Sequence, residues 1–253
     1  MNSNNAVCNL AGKRVAVTGA TGGIGKRVLD RLVAAGVEVV ATGRNPERLA
    51  ALIGRAASIR THLADFNDSQ SCENCANELA SRYKLDGFVL IYPSVLKSEE
   101  IIPPPAGWRE AMDLCFVNPL GLLRAGVEAM QPGGRIVIVS GVASVQVFPA
   151  LAYSNAIRAA WLAEAKLLSQ RLGERQIRVN TVSLGGTLTE AFEAKAANRP
   201  STSQYDDVPE NIPLGRYGSP ENVADVIVGL LSYLSDHMTG ANLVIDGGLT
   251  RSY

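Results

Sequence analysis

The sequence predicts an α/β fold: a doubly wound parallel sheet of about seven strands with helices on both faces. Three observations predict it. Short apolar runs alternate with amphipathic stretches along the whole chain. A glycine-rich loop follows the first run and opens the first amphipathic stretch. No linker, repeat or charge block divides the 253 residues, which at 47% hydrophobic and 19% charged suffice for one full core. The chain is therefore read as a single domain, 1–253.

Residues 14–18 form the first apolar run and read as a strand, with a helix over 26–35 behind it. Further strands are expected at 38–42, 58–63, 87–92, 135–140, 178–182 and 242–246, most of them separated by helix-length intervals. Parallel neighbours need a crossover connection, so strand, helix, strand repeated along a chain means a parallel sheet covered on both faces. Before the fifth strand, Ile101-Ile102-Pro103-Pro104-Pro105 cannot be helical inside, because proline lacks the amide proton and clashes with the preceding turn. It reads as a surface connection to a helix beginning near Trp108. Residues 187–213 are the one long irregular stretch and read as a lid or substrate loop, partly apolar through Ala191, Phe192, Tyr205 and Pro209.

Bulk chemistry narrows the partners. Net charge is zero and no run of five Lys/Arg residues occurs, so the electrostatic drive toward nucleic acid or an anionic membrane is missing. A small-molecule substrate is expected. The longest apolar stretches are strand-length and no leader pattern is visible, which suggests a cytoplasmic chain. In that compartment Cys8, Cys72, Cys75 and Cys115 are expected as free thiols. Cys72-x-x-Cys75 has no second pair, and His62 and His237 lie far off in sequence, so no metal is expected.

Thr18-Gly19-Ala20-Thr21-Gly22-Gly23-Ile24-Gly25 is the sharpest signal in the chain. Glycines between a strand and a helix allow a tight turn and close backbone approach, and the helix N-terminus offers free amides to a pyrophosphate. This context makes the fold Rossmann-type and marks Thr18, Gly19, Thr21, Gly23, Ile24 and Gly25 as dinucleotide contacts. The second strand ends Thr42-Gly43-Arg44, where an NAD site carries an acid for the ribose 2′-hydroxyl. An acid would repel a 2′-phosphate, whereas a guanidinium binds it, so Arg44 points to NADP(H). Asp65, after the third strand, is expected to receive the adenine amino group.

Over nearly its whole length the sequence resembles the short-chain dehydrogenase/reductase family. The resemblance rests on Thr18-Gly19-x-x-x-Gly23-x-Gly25, Arg178-Val179-Asn180, Pro213-Leu214-Gly215-Arg216, Ser219-Pro220-Glu221-Asn222-Val223-Ala224, Thr239-Gly240 and Asp246-Gly247-Gly248. It implies a site beyond the sixth strand, where Gly185, Thr187 and Thr189 border the nicotinamide. It also implies an asparagine supporting a water relay, a serine that polarises a carbonyl, a tyrosine acid/base, and a lysine four residues after that tyrosine. Counting back from Val179-Asn180, the tyrosine falls on Ser154 and the lysine on Arg158, with the serine on Gly141 and the asparagine on Cys115. The usual tetrad is thus absent from its expected positions. A shifted dyad competes, since Ser140 and Tyr153 keep the thirteen-residue spacing one position earlier. A one-residue step turns a helical side chain by about 100° and sends a strand side chain to the other face, which counts against it.

Candidate catalytic residues are therefore Ser154, Arg158, Cys115, Tyr153 and Ser140, with Arg158 also able to hold the ribose. Two functions follow. One is a divergent NADP(H)-dependent oxidoreductase acting on a small, partly apolar carbonyl or conjugated acceptor. The other keeps the dinucleotide pocket for a non-redox role, as a cyclase, isomerase, dehydratase or non-catalytic subunit. The resemblance further implies a homo-oligomer, dimer or tetramer, assembled through the helices at 108–130 and 154–172.

Overall fold

Alternation within the strands decides which helix covers which face of the sheet. In β1 (Arg14–Val17), Val15 and Val17 join one core while Ala16 joins the other, and in β2 (Glu38–Gly43), Val39 and Ala41 divide from Val40 in the same way. Helices α1 (Gly23–Ala34) and α2 (Pro46–Ile53) cover the first face. Helix α3 (Ser69–Arg82) covers the second. The structure is a computed structural model and describes residues 9–94, 98, 100–190, 192–193 and 211–251.

The remaining strands are β3 (Ile59–Leu63), β4 (Leu85–Ile91), β5 (Met130–Gly141), β6 (Arg178–Leu184) and β7 (Asn242–Ile245). All seven are parallel, in the order β3-β2-β1-β4-β5-β6-β7. Between β4 and β5 run α4 (Pro105–Met112), a π-helical turn at Asp113–Val117, and α5 (Asn118–Ala129). Helix α6 (Ala152–Arg171) joins α3 and α5 on the second face, and α7 (Pro220–Leu231) joins α1 on the first. The expected doubly wound sheet of seven strands is what the chain forms.

Several boundaries differ from expectation for local reasons. Helix α1 starts at Gly23, three residues before residue 26, because the glycine loop itself turns into the first helical turn. Helix α4 starts at Pro105, where a missing amide proton costs nothing, since that position has no helical acceptor. Strand β5 begins at Met130 rather than 135, with a register shift opposite Leu85 and Gly87. Of the expected lid at 187–213, residues 191 and 194–210 lie outside the described residues, and with them Ala191, Tyr205 and Pro209.

Cys72 and Cys75 are buried in the second core, where burial pushes their thiols up to about 11 and about 12. No helix among the described residues is long and apolar enough to cross a membrane.

Candidate functional site

Strand order reverses between β1 and β4, and in an open parallel sheet the crevice beyond the carboxyl ends of such strands is where ligands bind. The glycine loop lies there. Gly19 at φ +61° and Gly23 at φ +43° occupy the left-handed region that side chains avoid. A Cβ on Gly25 would collide with the Gly19 carbonyl, 2.8 Å from its carbon. The N-cap of α1 is Gly22, which offers no side-chain acceptor, so the first amides of the helix stay free for an anion. A loop that glycines let fold tightly onto its own main chain, and whose first helical amides are unclaimed, fits a dinucleotide pyrophosphate.

Individual positions divide. The Thr18 hydroxyl donates to the Ile91 carbonyl and accepts from the Ile91 amide, both at 2.7 Å, and Thr18 is fully buried. It ties β1 to β4 and is corrected from a cofactor contact to a structural one. Thr21 packs against the open α-carbon of Gly43, whose Cβ would lie 3.0 Å from the Thr21 side chain. The loop is held to β2 by Ala20 N–H on the Thr42 carbonyl at 3.0 Å. Arg44 follows directly, exposed and without an ion-pair partner among the described residues. Asp65 uses Oδ1 to accept from the Asn67 amide and side chain, both at 3.0 Å, leaving Oδ2 without a protein donor among the described residues.

Beyond β6, Gly185 packs on Asp246, and a Cβ there would lie 2.8 Å from the Asp246 Cβ. Thr187 is buried with its hydroxyl turned to the Gly185 carbonyl at 3.2 Å. Thr189 reaches the glycine loop itself: its methyl would stand 3.3 Å from a Cβ on Gly23. Arg27 of α1 latches this segment, pairing with Glu190 at 3.3 Å and Glu221 at 2.6 Å. Hydrogen bonding to Glu221 raises the arginine and holds the Glu221 carboxyl below its usual range.

The other half of the crevice is built from β4, β5, the π-helical turn and α6. Arg158 donates from Nε to Ser154 Oγ at 2.8 Å, one helical turn earlier, and its guanidinium carbon sits 5.9 Å from the centre of the Tyr92 ring. Its Nη1 occupies the space over Gly141, so that a Cβ on Gly141 would lie 2.7 Å from the guanidinium carbon. Gly141 has an extended backbone, φ −154°, open to any residue, so the glycine serves space rather than conformation. Tyr92 stacks on Trp161 at 5.5 Å and donates to Ser140 Oγ at 3.3 Å. Burial pushes its phenol above the ordinary range, against the pull of Arg158.

Ser154 and Arg158 are brought together; Ser140 and Tyr153 are not. Tyr153 packs edge-on against Trp108 at 4.8 Å, and its ring carbon would lie 3.1 Å from a Cβ on Gly107, so it faces α4. Ser140, 3% exposed, faces Tyr92. The shifted dyad is corrected accordingly: the first turn of α6 is regular from Ala152, and the one-residue step does swing Tyr153 aside.

Cys115 is also corrected. It is 1% exposed, its Sγ donates to the Pro93 carbonyl at 3.2 Å, and burial pushes the thiol up to about 11 despite Arg158. A buried, protonated thiol is a poor nucleophile. The carbonyl of Cys115, within the π-helical turn, accepts from the Trp161 indole N–H at 2.8 Å. Tyr92 and Trp161 are the residues that sequence reasoning missed here: Tyr92 stands at the end of an expected strand and Trp161 within an amphipathic helix, and neither position shows the distant partner.

Comparison with known proteins agrees with this architecture. The family model described as "Enoyl-(Acyl carrier protein) reductase" matches residues 19–250. The L-xylulose reductase of Mesocricetus auratus is 30% identical over 246 residues, covering 94% of this chain and 97% of that protein. A dehydrogenase/reductase from Sinorhizobium meliloti 1021 superposes with a TM-score of 0.85 at 28% identity, over 99% of this chain and 100% of its own. At 21% identity the L-sorbose reductase of Gluconobacter frateurii, solved with NADPH and L-sorbose, shares the fold with a TM-score of 0.86 over 96% of this chain and 98% of its own. With the family model spanning almost the whole chain, this protein belongs to the short-chain dehydrogenase/reductase family of oxidoreductases.

Proposed function

We propose that this chain is an NADP(H)-dependent oxidoreductase acting on a small, partly apolar carbonyl or conjugated acceptor, with an atypical set of catalytic residues. One observation carries the reading: the tight glycine loop Gly19–Gly25 leaves the first amides of α1 free, with Arg44 beside it at the end of β2. Bound nicotinamide would supply the hydride. Arg44 would pair with the 2′-phosphate, Asp65 with the adenine edge, and Thr189 with the carboxamide. Arg158, fixed by Ser154, would orient the acceptor and meet the charge it gains. The relative solved with NADPH and the reductase names of the others support the same direction.

A second reading keeps the dinucleotide but not the redox step. Its support is that the described residues offer no acid tuned to neutral pH: burial makes the Cys115 thiol and the Tyr92 phenol weaker acids than usual. Deuteride transfer separates the two. With 4-deuterated NADPH and a panel of ketones, enones and enals, deuterium recovered in product supports the oxidoreductase, and product formed with no deuterium and no NADPH consumed supports the non-redox role. Calorimetric titration of NADPH against NADH tests the cofactor; tighter NADH would overturn that part. Assembly as a dimer or tetramer belongs to the reading too, with Val117 and Leu167 exposed on the elements concerned, and light scattering checks it.

A further inference from the structure

Arg158 is a half-buried cation with no acidic partner among the described residues. Its Nε is committed to the neutral Ser154 hydroxyl, and the Tyr92 ring lies near one side. Removing a guanidinium partly from water without a counter-anion is unfavourable, and a cation–π contact offsets only a fraction of that cost. The guanidinium is nonetheless admitted deliberately. Gly141 ends β5 in a backbone conformation that any residue could adopt, and its missing side chain is the space that Nη1 and Cζ fill, with the Leu184 carbonyl 3.2 Å from the same point. An alanine there would force the guanidinium to shift.

We propose that Gly141 and Arg158 form a matched pair that builds an oxyanion-binding position, with the remaining Nη donors of Arg158 holding an anionic oxygen of the substrate. In this arrangement one residue from α6 takes over the space and the polarising task that a side chain at position 141 would otherwise have. The inference rests on the acceptor-site reading above and deepens it by naming a substrate class. Cationic acceptors such as iminium ions are disfavoured by like charge. Acceptors whose oxygen carries negative charge in the bound state are favoured: a conjugated carbonyl that delocalises charge onto its oxygen, or a substrate with its own carboxylate. Both share the planar oxyanion geometry that a guanidinium fits.

Two probes read this without turnover, each with the purified chain at saturating NADPH. 4-Nitrophenol mimics the conjugated acceptor oxygen, and its absorbance reports the ionised fraction; benzoate stands for a substrate carboxylate and is followed by calorimetry. The expected result is a nitrophenol whose apparent pKa falls by about one unit or more on binding, which is about tenfold preference for the anion. Arg158→Gln should lose about tenfold or more of the anion affinity, and Gly141→Ala, by shifting the guanidinium, should lose about threefold or more. Benzoate binding stronger than nitrophenolate assigns the position to a carboxylate, and the reverse assigns it to an acceptor oxygen; either supports the pair. If Gly141→Ala fails to fold, Arg158→Gln carries the test, since it adds no volume. Anion affinity within twofold of wild type in Arg158→Gln overturns the proposal, and so does failure of both probes to bind a wild-type chain that binds NADPH. A chain that binds no NADPH but binds the probes through Arg158 would overturn the dinucleotide reading and leave this one standing.

Discussion

The two halves of the crevice are built on different principles. On the β1–β2 side the backbone makes the site: Gly19, Gly23 and Gly25 are required by dihedral angle or by contact with main chain, and the first amides of α1 have no side-chain cap. On the β4–β5–α6 side the side chains make it, and they are locked to one another: Arg158 on Ser154 and over Gly141, Tyr92 between Trp161 and Ser140, Trp161 on the Cys115 carbonyl. A backbone site tolerates little change in sequence without losing its ligand. A side-chain site can exchange all its members together, provided that the volumes still fit. The proposed reading follows that contrast: a kept dinucleotide cradle, with Cys115, Gly141, Ser154 and Arg158 where the resemblance implies an acid/base set.

Breaking the backbone half gives the largest effect. Gly25→Ala puts a methyl against the Gly19 carbonyl, and neither atom belongs to a side chain that could swing away. NADPH affinity, followed by the fluorescence of the bound nucleotide, should fall by about 100-fold or more, roughly 2.7 kcal/mol. In the side-chain half, Trp161→Phe keeps the aromatic packing and removes the indole N–H, leaving the Cys115 carbonyl without its donor. Urea unfolding should register a loss of about 1–3 kcal/mol. NADPH affinity should change less than threefold, and a larger change would mean that the two halves are not separable.

Much of this division was legible in the sequence, for a physical reason. Strands, the glycine loop and the start of α1 depend on local period and on dihedral demands that a short window carries. Positions that depend on a distant partner were misread. Thr18 looked like part of the cofactor loop because nothing near it in sequence shows that Ile91, on the next strand, consumes both functions of its hydroxyl. Cys115 was a catalytic candidate because of its position, whereas it is buried against the segment after β4 through the Pro93 carbonyl and against α6 through Trp161. Gly141 was located by counting, but the reason for a glycine emerges only when the Arg158 side chain is seen lying over it. The choice between Ser154 and Tyr153 turned on where α6 begins, and helix starts are the part of an element that periodicity defines least.

Arg44 sharpens the comparison from the edge of the backbone half, because the proposed reading gives it the 2′-phosphate. Arg44→Glu should weaken NADPH by about 10-fold or more, the scale of one charge-assisted hydrogen bond turned into repulsion, and should leave NADH within threefold. Equal losses for both nucleotides would show that the residue supports the loop rather than reads the phosphate.

The smallest expected effect is the most informative about the side-chain half. Two groups in it are moved away from neutrality: burial pushes the Cys115 thiol up to about 11 and drives the Tyr92 phenol above its ordinary range. A general acid is effective when its pKa lies near the working pH, and its ionisation then bends the rate profile. With neither group poised as an acid at neutral pH, the proposed reduction would take its completing proton from solvent after the acceptor oxygen has gained its charge beside Arg158. The kcat for an activated acceptor should therefore change less than about twofold between roughly pH 6.5 and 9, once NADPH saturation is verified at each pH. A falling limb in that interval would reveal an acid losing its proton, and the Ser154–Arg158 pair would then be an accessory to a group elsewhere in the crevice.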